Sequence, residues 1–396
     1  MVVLGGDEMI NSLHKIFQIV DVTMEIPDEW NKMAIRTLHK KGSKYLMENK
    51  RGLFLTSIIS KVYERLVKFR NEVTMREKRS PWQMGGEKER SCTDNLFITY
   101  SVIERNRYMG KPTYVFYADA EKCFDKLWLD DAVIELWKRG TNIRDAMVIR
   151  EMNKTAKIMI HTPVGDTDEI ICENIVRQGT VYGPQLCGVS MGRVNDIGRG
   201  ITTMYGPNLV LQSTQFVDDV ESAGSARVVN NTIHNCRIME ERKKMKFNNT
   251  NGKTEYIIVN PTKNPETITS EVKNGKVLRA KEHKYVGHWM DERGTYMINI
   301  EKNKTKVPTM IASVAAIGSM QMGTMAAEVR LNLVNVLVMK SLLYNIETIP
   351  QLAPKEIKEL EKVQHHNLDK IIEHPEKHPI LWYIAGNRHV DHGCEN

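Results

Sequence analysis

Two apolar segments that each run into aspartates, far apart in the chain, constrain its fold more than any other feature. The segment "PTYVFYADAEKCFDKL" is rich in β-branched and aromatic residues and reaches Asp119. The segment "STQFVDDVESAG" places Asp218 and Asp219 after another apolar stretch. Such runs, followed by polar turn residues, predict strands that end in tight turns. The pattern predicts two acidic strand ends that can meet in one sheet, although an acidic pair beside a strand is also typical of an ordinary turn.

Carboxylates on adjacent strand ends are suited to hold two Mg²⁺ ions about 4 Å apart. Proteins commonly hold Mg²⁺ through one or two carboxylates together with substrate phosphates. One ion of such a pair lowers the pKa of a 3′-hydroxyl, and the other stabilises a leaving pyrophosphate. Composition and spacing leave this two-metal site and the plain turn as open alternatives.

Composition excludes some classes of protein and permits others. The 396 residues predict two or three domains, and 41% hydrophobic with 27% charged residues is typical of a globular protein. The net charge of +7 permits a polyanionic partner. The lack of a long apolar run and the acids in "MVVLGGDEMINSL" predict no membrane span, no secretory signal and an intracellular location, nuclear or cytoplasmic. The six cysteines form no CxxC pair, which favours reduced thiols.

The periodicity of apolar residues predicts helices, then mixed strands and helices, then helices again, which indicates an α+β centre. A helix is predicted over 53–73, and its apolar face is expected to contain Ile58, Ile59, Val62, Leu66 and Phe69. The next helix, over 91–110, has Thr93 and Asp94 as expected caps. "AKIMIHTPVGDTDEIICENIVRQG" predicts a hairpin around 163–166, and "EHKYVGHWM" predicts a strand.

Several motifs in this chain occur together in the order known for one enzyme family. "YADAEKCFD", "RQGTVYGPQL" and "FVDD" resemble the central motifs of reverse transcriptases, and the chain is similar to the polymerase part of a non-LTR (LINE-like) retrotransposon. The segment "IPDEWNKMAIRTLHKKGSKYLMENKRGLFLTSIISKVYERLV" resembles the finger region of that family, and "NNTNGKTEYIIVN" resembles its lysine motif. The segment "EHKYVGHWMDERG" resembles the primer grip, and "KSLLYNIETI" resembles part of the thumb. The resemblance covers about residues 20–350.

The resemblance implies a right-hand polymerase fold. Residues 1–112 would be fingers with an N-terminal helix, 113–300 an antiparallel-sheet palm with inserted finger and helix elements, and 301–396 a helical thumb and tail. It also implies RNA-directed DNA synthesis that uses two Mg²⁺ ions, an RNA template, a DNA primer and deoxynucleoside triphosphates (dNTPs). Basic runs such as "RTLHKKGSK" and "ERKKMK" fit a nucleic acid channel, and equally fit solvated helix faces.

The resemblance also assigns site residues. Asp119 and Asp218 would be the metal-binding carboxylates, with the carbonyl of Ala120 as a further ligand and Asp219 as a supporting acid. Phe124 would exclude a ribose 2′-hydroxyl. The remaining positions would contact the nucleotide: Arg51 and Lys61 in the fingers, Gln178 and Gly179 in the "RQG" loop, and Lys253 near the leaving pyrophosphate.

Some features depart from the family pattern. In "QMGGEKER", Gly86 and Glu87 stand where the family has an aromatic residue and an arginine, so a positive charge expected to face nucleic acid is replaced. We expect neither an endonuclease nor a Cys/His knuckle, which is typical of a fragment or a decayed copy. A catalytically inactive RNA-binding relative is therefore the alternative. A maturase-like splicing factor is a third possibility, for which the residues after Pro350 are few.

Overall fold

The computed structural model describes residues 5–39, 42–46, 49–78, 80–162, 164–197, 203–204, 210–211, 213–243, 245–250, 252–273, 275–310, 312–313 and 332–372. The chain divides into two compact units, Met1–Lys281 and Glu282–Asn396. The expected boundaries of fingers, palm and thumb stay a prediction, and positions 373–396 of the expected tail lie outside the described residues.

The first unit alternates helices and strands along the chain. Its elements are α1 (Gly6–Thr23), α2 (Asp28–Asn31), β1 (Lys32–His39), β2 (Lys50–Thr56), α3 (Ile58–Lys78), α4 (Cys92–Tyr108), β3 (Thr113–Asp119), α5 (Cys123–Lys126), α6 (Leu129–Lys138), α7 (Ile143–Lys154), β4 (Thr155–Thr162), β5 (Gly165–Asp166), β6 (Ile170–Glu173), α8 (Gly183–Met191), α9 (Arg193–Ile197), β7 (Thr203–Met204), β8 (Val210–Leu211), β9 (Thr214–Phe216), β10 (Asp219–Gly224), α10 (Ala226–Lys243), β11 (Glu255–Val259), β12 (Glu271–Val272), β13 (Gly275–Lys276) and β14 (Leu278–Arg279). The predicted α+β fold class is confirmed.

The sheet that carries the acidic motifs has the strand order β14-β11-β3-β10-β9. The pairs formed by β11, β3, β10 and β9 are antiparallel, and β14 pairs with β11 in parallel. Helix α10 covers one face, where Thr232 donates a hydrogen bond to Ser222 of β10. Helix α4 packs on the other face, where Thr99 of α4 forms a hydrogen bond with Glu221, the neighbour of Ser222 in β10. Covered on both faces, the sheet is a rigid support for the ends of β3 and β10.

A second sheet has the order β2-β1-β4-β5, and β6 also pairs with β4. The predicted hairpin around 163–166 is confirmed, since β5 and β6 both run antiparallel to β4. Met33, Ala156 and Ile158 are buried on one face of this sheet. The sequence prediction missed β2, because residues 53–56 belong to this strand and the helix that follows begins at Ile58.

The buried face of α3 differs from the predicted one. Ile58 is 69% and Phe69 is 73% exposed, whereas Tyr63 and Val67 are fully buried together with Glu64. The prediction is confirmed for Val62 and Leu66, which pack against the main core, and wrong for Ile58 and Phe69, because this helix turns a partly polar face inward. Ser91 caps α4 in a capping box with Asp94, so the cap predicted at Thr93 was also wrong.

Glu64 and Arg177 explain why α3 buries polar groups. Arg177 is completely buried and donates a hydrogen bond to the carbonyl of Trp30 (2.8 Å). Its guanidinium lies 3.8 Å from the Glu64 carboxylate, which also accepts a hydrogen bond from the backbone N–H of Val181. Burial lowers the pKa of Arg177 and raises that of Glu64, while each charge opposes the shift in the other. The pair ties α3 to the loop that begins at Arg177.

The second unit contains β15 (Glu282–Tyr285), β16 (His288–Asp291), α11 (Met297–Lys304), a π-helical segment (Val334–Met339), α12 (Lys340–Leu342), a 3₁₀ turn (Ile346–Thr348) and α13 (Pro354–Ile372). The strand predicted over "EHKYVGHWM" is instead a tight hairpin, because Val286 and Gly287 both have positive φ angles. Tyr296 is buried and its hydroxyl donates to the carbonyls of Leu342 and Tyr344, which joins the hairpin side of this unit to its later helices.

Removal of Arg177 tests the buried ion pair. We expect Arg177→Ala to lower the free energy of unfolding by about 3–5 kcal/mol, because Glu64 is left as an unpaired buried charge. The double variant Glu64→Leu/Arg177→Met should recover part of this loss, since no buried charge remains. Urea unfolding measures both effects. The control is Arg76→Ala, whose ion pair with Glu89 is exposed and should contribute less than about 1 kcal/mol. An Arg177→Ala loss as small as that of the control would contradict the prediction.

Candidate active site

The two acidic motifs meet as the sequence predicts. Strands β3 and β10 are antiparallel, and Asp219, the first residue of β10, lies directly opposite Asp119, the last residue of β3. Directly opposed residues in such a pair have Cα atoms about 4.5–5.5 Å apart. Asp218 lies in the turn between β9 and β10 and completes a group of three acids at this corner of the sheet.

Three nearby carboxylates repel one another, and the structure shows the consequence at Asp219. Burial, together with the charges of Asp218 and Asp119, raises the pKa of Asp219 to about 7, whereas Lys253 opposes the shift. The Lys253 ammonium donates to the Asp119 carboxylate at 3.0 Å. The charges of Asp218 and Asp119 thus act together on Asp219, and a cation bound at this corner would offset them.

The backbone after Asp119 is held by another segment. The Asp119 carbonyl accepts a hydrogen bond from Asn248 N–H (2.9 Å), and Glu121 N–H donates to the Lys246 carbonyl (2.8 Å). These two hydrogen bonds flank Ala120, whose own carbonyl takes no part in the pairing with 246–248. The resemblance assigns this carbonyl as a metal ligand, and the pairing leaves it available for that role.

Sequence reasoning missed the residues that hold the acidic turn. Val217 has a φ of 60°, which is unfavourable for a β-branched residue. The Gln83 side chain accepts a hydrogen bond from Val217 N–H (2.9 Å) and donates to Val217 C=O (3.2 Å). A Cβ on Gly85 would lie 2.4 Å from the Val217 nitrogen, so only glycine fits there. The "QMGG" motif was the available signal, but its sequence gives no indication of which turn it contacts.

The loop before α8 lies beside Phe124. A Cβ on Gly183 would lie 3.4 Å from the Phe124 ring, and Phe124 is partly buried against the main core. Gly179 has a φ of 78°, and a Cβ there would lie 2.9 Å from the Phe54 carbonyl, so this position requires glycine. Gln178, between the buried Arg177 and Gly179, is partly exposed. The structure thus places Phe124 beside the first residue of α8, the helix that follows the predicted nucleotide loop.

The two basic finger positions lie on other elements than the acids. Arg51 is in β2, where its backbone pairs with Leu38. Lys61 is in the first turn of α3, and its charge is among those that oppose the rise in the pKa of the buried Glu64. Glu64 in turn holds the loop after Arg177, so Lys61 lies near the base of the predicted nucleotide loop. Glu87, the departure noted in the finger motif, is partly exposed and lines a pocket of about 460 Å³ together with Arg65 and Lys68.

Two cysteines contradict the expectation of reduced thiols. Cys123 of α5 and Cys187 of α8 form a disulfide, with Cα atoms 6.9 Å apart. Cys172 and Cys236, among the described cysteines, are not part of a disulfide. The spacing of 64 residues between the paired cysteines gave no signal, because only the packing of α5 on α8 brings them together.

Metal and membrane signatures are sparse in the part of the chain that the structure describes. No group of three or more His, Cys, Asp or Glu side chains there is arranged to hold a metal ion by itself. Mg²⁺ needs only one or two protein carboxylates when substrate phosphates supply further oxygens. The group of Asp119, Asp218 and Asp219, here called the acidic corner, is therefore compatible with Mg²⁺. No helix among the described residues has both the length and the apolar character needed to cross a membrane.

Comparison with known proteins gives one family. A family model described as "Reverse transcriptase (RNA-dependent DNA polymerase)" matches residues 38–290, which is more than half of the chain. A solved structure, "Structure of apo telomerase from Candida Tropicalis truncated from C-terminal domain", is similar with a TM-score of 0.45 and 10% identity. The match covers 72% of this chain and 58% of that chain. No curated protein matches the sequence.

The raised pKa of Asp219 predicts a pH dependence of stability. The usual pKa is 3.8 and the folded value is about 7, so between these values the folded protein holds a proton that the unfolded chain has lost. The free energy of unfolding should therefore fall as pH rises from about 4 to about 7, and Asp219→Asn should abolish this contribution. Urea unfolding of both proteins at pH 4, 5.5 and 7 gives the difference.

Two controls isolate the effect. Glu221, whose pKa burial raises to about 8, gives the same trend but is present in both proteins, so it cancels in the difference. Glu77→Gln removes an exposed carboxylate and should give no such trend. A wild-type minus Asp219→Asn difference that stays constant from pH 4 to 7 would show that Asp219 is not buried among like charges.

Proposed function

Because the chain belongs to the reverse transcriptase (RNA-dependent DNA polymerase) family, we propose that it extends a DNA primer with dNTPs on an RNA template. The observation that carries this proposal is the pairing of Asp119 with Asp219 next to Asp218. Phosphoryl transfer depends mainly on positioning and on stabilising negative charge. An acidic corner on a rigid sheet supports both requirements.

Asp119, Asp218 and the Ala120 carbonyl would hold two Mg²⁺ ions, with Asp219 as the supporting acid. When bound, these ions would lower the pKa of the primer 3′-hydroxyl and stabilise charge on the leaving pyrophosphate. The donor set supports this assignment, because carboxylate and carbonyl oxygens suit hard cations. The raised pKa of Asp219, which burial and then the charges of Asp218 and Asp119 cause, supports it independently, because a cation would offset the charges of these acids.

The other residues would bind and select the nucleotide. Lys253 would neutralise charge on the pyrophosphate, and the close fit of Gly179 would let the backbone beside Gln178 approach the substrate. Arg51 and Lys61 would contact the phosphates from the fingers; a guanidinium is suited to bidentate binding of phosphate. The net charge of +7 favours binding to nucleic acid in general.

We also propose a retrotransposon origin of the non-LTR type. This finer assignment rests on the motif order around "YADAEKCFD", "RQGTVYGPQL" and "FVDD". Nucleic acid partners follow from the proposed activity. The alternative function is that of a catalytically inactive relative that only binds RNA. Glu87 in the finger motif is the feature that favours this alternative.

Primer extension tests the proposed reaction. With an RNA template, a DNA primer, dNTPs and Mg²⁺, we expect synthesis by the wild type and a loss of about 100-fold or more in Asp119→Asn and in Asp218→Asn. Asp130→Asn is the matched control, because this acid is 47% exposed and pairs with Arg150 on the surface. Retained synthesis in Asp218→Asn would contradict the metal assignment. Salt-sensitive RNA binding without incorporation, under Mg²⁺ or Mn²⁺, would instead support the inactive relative.

Phe124 tests nucleotide selection. If its ring lies against the sugar, Phe124→Ala should raise the use of ribonucleotides relative to dNTPs by about 10- to 100-fold, because steric exclusion in a pocket discriminates on this scale. Steady-state kcat/KM for each nucleotide measures the ratio. Phe97→Ala, at a 58% exposed position on α4, should leave it unchanged. An unchanged ratio in Phe124→Ala would mean that this ring is only part of the core.

A further inference from the structure

The buried amide of Gln83 contacts its own loop and two distant segments. Gln83 is 5% exposed and precedes the helix α4 region in the chain. Its oxygen accepts hydrogen bonds from Val217 N–H (2.9 Å) and Gly85 N–H (3.0 Å). Its nitrogen donates to Val217 C=O (3.2 Å) and to Gly188 C=O (3.3 Å) in α8. One side chain therefore satisfies both backbone groups of Val217 and links that turn to α8.

The backbone around Gln83 reinforces this link. Met84 N–H donates to the Gln215 carbonyl and Gln215 N–H donates to the Trp82 carbonyl, both at 2.8 Å, so the 82–84 segment pairs with β9 in parallel. Gly85 then packs against Val217 so closely that any side chain would collide with its backbone. The loop and the acidic turn thus form one packed body.

Val217 is the residue that needs such support. Its φ of 60° is unfavourable for a β-branched side chain, and strain of this kind persists only where the surroundings enforce it. A relaxed Val217 would change the direction of the chain at Asp218 and at the start of β10. The geometry of the acids therefore depends on contacts made by neither acid.

We propose that Gln83 is a positioning residue, whose amide holds Val217 in its left-handed conformation and so fixes Asp218 and Asp219 for metal binding. The effect of Gln83 on catalysis rests on the proposed polymerase function. Its effect on the structure of the turn does not depend on that function. A site held loosely by about 1 Å can lose about 100-fold in rate.

The test uses the full chain and the variant Gln83→Met, which keeps the length of the side chain and removes the amide. Hydrogen exchange read by mass spectrometry should show faster exchange at 217–219, because Val217 N–H loses its acceptor. Mn²⁺ binding to the protein alone, measured by the electron paramagnetic resonance of free Mn²⁺, should weaken about tenfold. Primer extension should show a lower kcat and a higher half-saturating Mg²⁺ concentration, with the KM for primer–template unchanged.

The matched control is Asn195→Ala. Asn195 also anchors this region through a side-chain amide, since it donates to the Ser213 carbonyl (2.9 Å) and accepts from the Ser213 hydroxyl (2.6 Å), but it contacts the start of β9 and not the turn. Hydrogen exchange at 217–219 and Mn²⁺ affinity in the Asn195→Ala variant should equal those of the wild type. Equal changes in both variants would indicate a general loss of stability and overturn the proposal, as would wild-type exchange and Mn²⁺ affinity in Gln83→Met.

A second variant covers the case in which Gln83→Met fails to fold. Gly85→Ala pushes the same turn from another side through a Cβ placed 2.4 Å from the Val217 nitrogen, and it should give the same faster exchange and weaker Mn²⁺ binding. Unchanged Mn²⁺ binding in a folded Gly85→Ala would count against the proposal. A wild type that binds Mn²⁺ but makes no DNA would refute the proposed function and leave the positioning role of Gln83 to be decided by exchange and Mn²⁺ binding.

Discussion

The direct opposition of Asp119 and Asp219 across two strands is the constraint on which the rest of the site depends. Like charges at such positions destabilise a sheet, and partial burial increases the cost. Lys253 offsets part of the repulsion through its contact with Asp119. The remainder is carried by the sheet, whose two faces are covered by α4 and α10. Carboxylates clustered in this way are suited to bind a cation, which would offset their repulsion.

The strain at Val217 follows from the same requirement. An ordinary hairpin would join β9 and β10 through residues that tolerate positive φ, such as glycine or asparagine. Here a valine takes that conformation, and contacts from Gln83 and Gly85 enforce it. The 82–86 loop, far away in sequence, is therefore part of the acidic turn in structural terms. This explains how a motif assigned to the fingers can affect a site in the sheet.

Local patterns predicted much of the fold. The strand that ends at Asp119, the acidic turn, the hairpin around 163–166 and the α+β class all follow from apolar runs and turn residues, and all are confirmed. What failed depended on contacts between distant segments. The inward face of α3 was assigned to its apolar residues, because no local pattern reveals that Glu64 pairs with Arg177. The disulfide of Cys123 with Cys187 and the clamp of Gln83 on Val217 were missed for the same reason.

For the site itself, resemblance supplied the residue types and the structure supplies their neighbours. The sequence paired Asp119 with Asp218 as metal ligands, whereas the register makes Asp219 the direct neighbour of Asp119. Register depends on the whole ladder of β3 and β10 and cannot be read from the "VDD" motif alone. The distinction matters for charge, because the acid directly opposite Asp119 is the one whose pKa is raised.

Lys253 links this charge balance to the proposed reaction. Its side chain is 47% exposed and that of Asp119 is 30% exposed, so their ion pair is partly screened by water and contributes little to stability. A weak pair of this kind can be exchanged at low cost. In this structure the lysine pairs with Asp119, and in the proposed reaction the same ammonium would move toward the phosphates when a metal ion takes its place beside Asp119. One residue can thus serve the stability of the acidic corner and the departure of pyrophosphate, because its two partners are never required at the same time.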